Sequence, residues 1–204
     1  MYTKEQMAEV RKTAFAAPRA RQEGKTTIVL GSGDNAQKFV LTERGYCARF
    51  VRQVYEAALD IGPYSWEYAA GDALEMCKKL KAAGFLVNDG KLVPGDIVGI
   101  NKYSGEHGHI AIYVGKSGGE DMIAENTSSA VRGNPRGAGT KLTPYSEIIH
   151  RVTGVYRLGP GAAQENAWPT FRSFVYVGNK CVEMEVVPGG DHRRDQGKVY
   201  WRTK

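Results

Sequence analysis

The order of periodicities along the chain predicts an α+β domain, with N-terminal helices packed on a mainly antiparallel β-sheet. Three observations carry this. Apolar residues recur at three- and four-residue steps over residues 45–62 and again over 68–83. After residue 92 the pattern changes to short apolar strands separated by tight turns. Helical patterns come first and strands follow, an order that suits α+β layering.

Each element has its own reason. Met7, Val10, Ala14 and Phe15 fall at helical spacing over 3–16, and Thr3 with Gln6 resembles a capping box. Residues 26–30 read as a short strand, followed by a Gly31-Ser32-Gly33-Asp34 turn. Residues 39–41 are too short to assign. In the 45–62 helix, Cys47, Phe50, Val51, Val54, Tyr55 and Ala58 form the apolar stripe. Arg49, Arg52, Gln53 and Glu56 fall on the other side, where a solvated face is expected. Gly62 and Pro63 end that helix. The 68–83 helix has Ala70, Ala73, Leu74, Cys77 and Leu80 as its stripe, with Gly84 as a natural C′ residue.

Residues 92–100 read as a turn feeding a strand, 109–115 as a second strand and 122–125 as a third, with Ser117-Gly118-Gly119-Glu120 as a tight connection. Residues 132–140 read as a Gly/Pro-rich loop, and 152–158 as a last strand. Beyond a Gly/Pro/Ala linker at 159–163, the runs 174–177 and 182–187 flank Gly178-Asn179-Lys180, a hairpin signal, and 198–201 suggests one more strand. The expected division is an N-terminal extension at 1–39, a main domain at 40–158, the linker, and a small β-rich module with a hairpin at 164–204.

Composition narrows the function. The 204 residues carry a net charge of +6, which favours anionic partners. The basic residues are dispersed, with no dense Lys/Arg block among aromatics, so nucleic acid is not expected as a partner. No apolar run is long enough to span a bilayer, and residues 1–18 lack the apolar core of a secretory signal. The three cysteines, Cys47, Cys77 and Cys181, are odd in number and widely spaced, which argues against a disulfide framework. No Cys/His spacing suggests zinc, and no metal or organic cofactor is expected.

Cys47 stands near the N-terminus of the best helix, where backbone N–H groups and the helix dipole favour a thiolate. A cysteine nucleophile needs a base, usually histidine, held by a third polar group. His109 opens an apolar strand after the loop Gly105-Glu106-His107-Gly108, and the third strand offers Glu125 and Asn126 as orienting groups. The bland reading makes Cys47 a small apolar filler on its helix and His109 a hydrogen-bonded structural residue. Cys77 lies mid-helix and Cys181 in a strand, both without a chemical task, and His107 lies on a loop facing solvent or substrate.

Three strings tip the balance. Gly45-Tyr46-Cys47-Ala48-Arg49-Phe50-Val51 resembles the nucleophile helix of the NlpC-type and CHAP cysteine peptidases and amidases. Leu92-Val93-Pro94-Gly95-Asp96-Ile97-Val98 resembles their Pro-Gly-Asp strand start, and residues 108–115 resemble their histidine strand. The resemblance covers roughly residues 40–158. It implies a papain-like fold and hydrolysis of an amide in the peptide part of bacterial peptidoglycan, either by an endopeptidase or by an amidase at the muramic acid–L-alanine link. Cys47 then matches the nucleophile and His109 the base. The third position departs from the NlpC pattern, which often has a second histidine; here Glu125 is favoured, with Asn126 as the alternative. Tyr46 is expected to shape the oxyanion region. Alternatives are acyl transfer or proteolysis on a non-wall substrate by the same centre, and a non-catalytic wall-binding protein. A wall enzyme without a standard signal fits a phage lysin, a tail-associated enzyme or a toxin delivered by another route. Oligomeric state is left open.

Overall fold

The computed structural model describes residues 1–101, 107–128 and 138–160, and the backbone of two strands at 172–177 and 180–185. The chain divides into two compact units, Met1–Gln164 and Glu165–Lys204. Several expected features lie outside the described residues: Gly105 and Glu106, the loop 132–137, linker residues 161–163, turn residues 178–179, the tail of the hairpin at 186–187 and the strand at 198–201. The Cys181 side chain does as well.

The first unit is α+β. Helix α1 (Lys4–Gln22) begins at the capping box, with Thr3 Oγ1 accepting from the Gln6 N–H and Gln6 Oε1 accepting from the Thr3 N–H. It runs six residues past the expected end at residue 16 and contains Pro18. A proline inside a helix removes a hydrogen bond and costs on the order of 3 kcal/mol. Tertiary burial outweighs that cost here, because Val10, Ala14, Ala17 and Ala20 enter the main core. Residues 1–39, expected as an extension, therefore fold into the same unit as the rest. Strands β1 (Thr27–Leu30) and β2 (Gln37–Val40) form an antiparallel hairpin in this region, joined through a 3-10 turn at Gly33–Asn35.

Helix α2 (Cys47–Ala58) is the centre of the unit. Phe50, Val51, Val54 and Tyr55 are fully buried. Its polar side is buried too, contrary to expectation: Arg52, Gln53 and Glu56 are all below one tenth exposed. The β1–β2 hairpin and the residues after the helix cover that side, so a polar network replaces solvent. Gln37 Nε2 donates to Glu56 Oε2 at 3.0 Å, Gln53 Nε2 donates to Gln37 Oε1 at 3.1 Å, and the Arg52 guanidinium lies over the Tyr64 ring at 3.8 Å. These contacts offset part of the cost of burying a polar face. Helix α3 (Ala73–Ala82) is shorter than its sequence pattern and starts at Asp72, whose Oδ1 accepts from the Glu75 N–H.

The sheet has six strands, all antiparallel. β3 (Leu86–Val87), β4 (Ile97–Ile100), β5 (His109–Ser117), β6 (Glu120–Thr127), β7 (Gly139–Pro144) and β8 (Val152–Tyr156) stand in the order β3-β8-β4-β5-β6-β7. β7 starts in the last two residues of the expected loop at 132–140 and continues through residues to which no element was assigned; β3 likewise falls on residues to which none was assigned. The helices share the main core with Ile97, Ile110, Ile112, Ala124 and Leu142, while Val98, Ile100, Ala111, Tyr113 and Ile123 make a second cluster. Alternation along each strand sends neighbours to opposite clusters. The Pro94-Gly95-Asp96 turn locks β4 to its surroundings. Gly95 has a φ of 101°, and a Cβ there would meet Met7 at 2.5 Å. Its carbonyl accepts from Tyr55 at 2.8 Å, and Asp96 takes two hydrogen bonds from Arg157.

In the second unit, β9 (Arg172–Val177) and β10 (Lys180–Glu185) form an antiparallel hairpin. No helix among the described residues is long and apolar enough to cross a membrane.

Candidate active site

The nucleophile candidate is placed by a glycine turn and an asparagine. Gly45 has a φ of 83°, which reverses the chain into α2 without a side-chain penalty. Tyr46 is the cap residue, and its N–H donates to Asn126 Oδ1 at 2.9 Å. Asn126 is fully buried, and its Nδ2 also donates to the Glu43 carbonyl at 2.8 Å and to Thr140 Oγ1 at 3.0 Å. One amide thus ties the approach to α2 onto β6 and β7. Cys47 is the first helical residue and is buried. Tyr46 makes no side-chain cap, and the first turn holds no acidic residue, so no carboxylate competes for its N–H groups.

The base candidate is placed by the sheet. Gly108, with a φ of 60°, turns the chain so that β5 begins at His109. His109 Nε2 lies 2.6 Å from Glu125 Oε2, and both side chains are buried. Nδ1 is buried without a partner of ordinary hydrogen-bond geometry among the described residues, and Cys47 is the other group that acts on this ring. Glu125 Oε1 accepts from Thr143 Oγ1 at 2.5 Å and lies 3.6 Å from Lys141 Nζ.

Cys47, His109 and Glu125 are therefore brought together. Asn126, weighed beside Glu125 as the orienting residue, is not at the imidazole. Alternation along β6 sends it to the α2 side, where it accepts from the Tyr46 N–H just ahead of Cys47. Tyr46 is partly exposed, with the Arg49 guanidinium 3.9 Å from its ring centre. His107 is exposed and sits at the start of α3: its Nδ1 is 3.4 Å from Asp72 Oδ2, and its carbonyl accepts from Leu74. Cys77 is buried in α3, where desolvation pushes its thiol up to about 11. Two members of the site, Lys141 and Thr143, are absent from the sequence-based set because no element was assigned to residues 141–144, which belong to β7. The alternation of Thr140 and Leu142 with Lys141 and Thr143 was the available signal.

Comparison with known proteins assigns no family. No family model matches the chain, and no curated protein does. A solved structure described as the crystal structure of Ly7917 is similar over 97% of this chain and 78% of that one, at 17% identity and a TM-score of 0.43. A likeness at that level carries no argument about fold or chemistry.

The electrostatics of the site follow from its pairing. Burial would lower the pKa of His109, but its contact with Cys47, its hydrogen bond to Glu125 and the charges of both raise it to about 9. Burial would raise Glu125, yet His109, Thr143 and Lys141 hold it below the usual carboxylate range. A histidine raised in this way contributes stability that is fully present below its unfolded value near 6.5 and is lost as pH rises through about 9. Imidazole resonances of His109 followed by NMR should titrate near pH 9, and Cys47→Ala should bring the midpoint down toward the ordinary range. A wild-type midpoint near 6.5 would break the coupling inferred from the geometry. Among the described residues, no cluster of three or more His, Cys, Asp or Glu side chains could hold a metal ion.

Proposed function

We propose that the protein is a papain-like cysteine hydrolase that cuts an amide in the peptide part of bacterial peptidoglycan. The observation that carries the chemical half of this reading is the arrangement Cys47–His109–Glu125: a cysteine on an uncapped helix N-terminus, acting on an imidazole whose other nitrogen is held 2.6 Å from a carboxylate. The substrate class is supported by the resemblance of the strings around Cys47, Pro94-Gly95-Asp96 and His109 to wall-cleaving families, and the net charge of +6 suits an anionic envelope.

In the proposed reaction, the Cys47 thiolate attacks the scissile carbonyl carbon and forms a C–S bond. The developing oxyanion is stabilised by first-turn N–H groups of α2, that of Cys47 among them. The His109 imidazolium gives its proton to the leaving amine as the C–N bond breaks. Water then loses a proton to His109 and attacks the thioester, which releases a carboxylic acid and restores the thiolate. Glu125 fixes the imidazole's tautomer and supports its charge throughout. Tyr46, exposed beside the nucleophile, and His107 are the candidates for shaping the substrate side.

The test is digestion of purified peptidoglycan with mass-spectrometric identification of the new termini. A new amine and a new carboxylate within the stem peptide or cross-bridge, or free L-alanine N-termini, are the expected products. Wall left intact while a protein or acyl donor is consumed would move the reading to the acyltransferase or protease alternative. Binding to wall with no cleavage would move it to the non-catalytic one.

A further inference from the structure

Strand β7 carries a buried cation that the proposed reaction does not itself consume. Lys141 is 2% exposed, and its ammonium makes no hydrogen bond among the described residues. Burying an ammonium without acceptors is unfavourable, and such a group persists only beside an anion. The anion is Glu125, with Oε1 3.6 Å from Nζ. The two residues are direct cross-strand partners, so both project from the same face of the sheet. A methionine of similar length would fill the space without an orphaned charge, so packing does not explain the lysine.

The carboxylate is divided between its neighbours. Oε2 is committed to His109, while Oε1 takes the Thr143 hydroxyl and faces Lys141. With a thiolate on Cys47, the row Cys47–His109–Glu125–Lys141 alternates in sign and sums to zero. Without Lys141, the same buried set carries one uncompensated negative charge, which burial opposes.

We propose that Lys141 is a positioning residue for the catalytic pair: its ammonium keeps Glu125 ionised and turned so that Oε2 faces the imidazole. This rests on the reading of Cys47 and His109 as nucleophile and base. The charged and titratable groups acting on Glu125 among the described residues are His109 from β5 and Lys141 with the Thr143 hydroxyl from β7, with Cys47 of α2 acting through His109. From α1, Arg21 approaches β7, but its guanidinium is engaged with the Thr140 carbonyl at 2.9 Å. The depressed pKa of Glu125, held down by these neighbours against burial, agrees with the role.

The experiment uses the full chain with 13C-labelled glutamate. The Glu125 carboxyl resonance is assigned by its loss in Glu125→Gln and titrated in wild type, Lys141→Met and Lys141→Arg. Lys141→Met should raise the Glu125 midpoint by about one pH unit or more, and Lys141→Arg should leave it close to wild type. The acid limb of wall hydrolysis should move the same way, with kcat about tenfold lower at the pH of the wild-type limb and KM unchanged. An unchanged Glu125 midpoint in folded Lys141→Met overturns the proposal; should that variant not fold, Lys141→Gln carries the same expectation. The carboxyl titration needs no substrate. A protein that fails to cut wall yet shows the shift refutes the wall-hydrolase reading and leaves standing the effect of Lys141 on Glu125.

Discussion

Cys47→Ala should abolish wall hydrolysis, with a loss on the order of a thousandfold or more, while the protein remains folded. The expectation of a folded variant comes from the site itself. The backbone of the turn into α2 is held by Asn126 through the Tyr46 N–H, a contact that does not involve the thiol. The Cys47 side chain is small, and its removal should cost about 1 kcal/mol of stability, well within what a domain of this size tolerates. The expectation of lost activity comes from the absence of a substitute. Cys77, the other free cysteine among the described side chains, is buried and its thiol is held protonated by desolvation, so it offers no thiolate near neutral pH. Cys77→Ala is the matched control: it should lose some stability from the cavity it leaves and keep its lytic rate. Turbidity clearance of purified walls, with circular dichroism on the same samples, measures both quantities. Full lysis by a folded Cys47→Ala protein would remove Cys47 from the chemistry and the proposed mechanism with it.

The parts of this fold that were legible in the sequence are those whose signal is local. The stripe of Phe50, Val51, Val54 and Tyr55 marks α2 because a buried helix face repeats at 3.6 residues whatever covers it. The capping box at Thr3 and Gln6, the Pro-Gly-Asp turn and the tight connection between β5 and β6 were readable for the same reason. What was not legible depends on distant partners. Arg52, Gln53 and Glu56 look like a solvated face until the β1–β2 hairpin, with Gln37, is known to lie over them. β7 has only six residues and starts at a glycine with a φ of 104°, so its pattern gives too weak a strand signal to assign until β6 is there to pair with it. Lys141 and Thr143 disappeared from the sequence-based site together with that strand.

The choice between Glu125 and Asn126 was also non-local, and it decides the second large effect: Glu125→Gln should lower the catalytic rate far more than Asn126→Ala does. The register explains why Glu125 is the one at the histidine. Near the turn, Gly115 pairs with Met122 and Ser117 with Glu120; past an irregularity between Tyr113 and Gly115, Tyr113 pairs with Ile123 and Ile112 with Ala124. Had the first register continued unbroken, His109 would stand opposite Ser128, and Asn126 would share its face. The one-residue shift at the bulge exchanges the two faces, puts Glu125 at 2.6 Å from His109 Nε2 and sends Asn126 to the helix side. Glutamine at 125 keeps the shape but not the charge. Its amide nitrogen must face either Lys141 or the imidazole, so it sets a donor against the ammonium or favours the wrong tautomer of His109. A loss of roughly a hundredfold to ten-thousandfold in kcat, without unfolding, is the expected result. Asn126→Ala removes one buried and two part-buried hydrogen bonds and leaves the Tyr46 N–H without its acceptor, so its main effect should be on stability, about 2 kcal/mol or more, with turnover retained well below the melting temperature. Both variants are to be assayed on one wall preparation, with thermal melts alongside. A dead Asn126→Ala protein that melts normally, next to a Glu125→Gln protein with near wild-type turnover, would give Asn126 the orienting role and contradict the geometry described for His109.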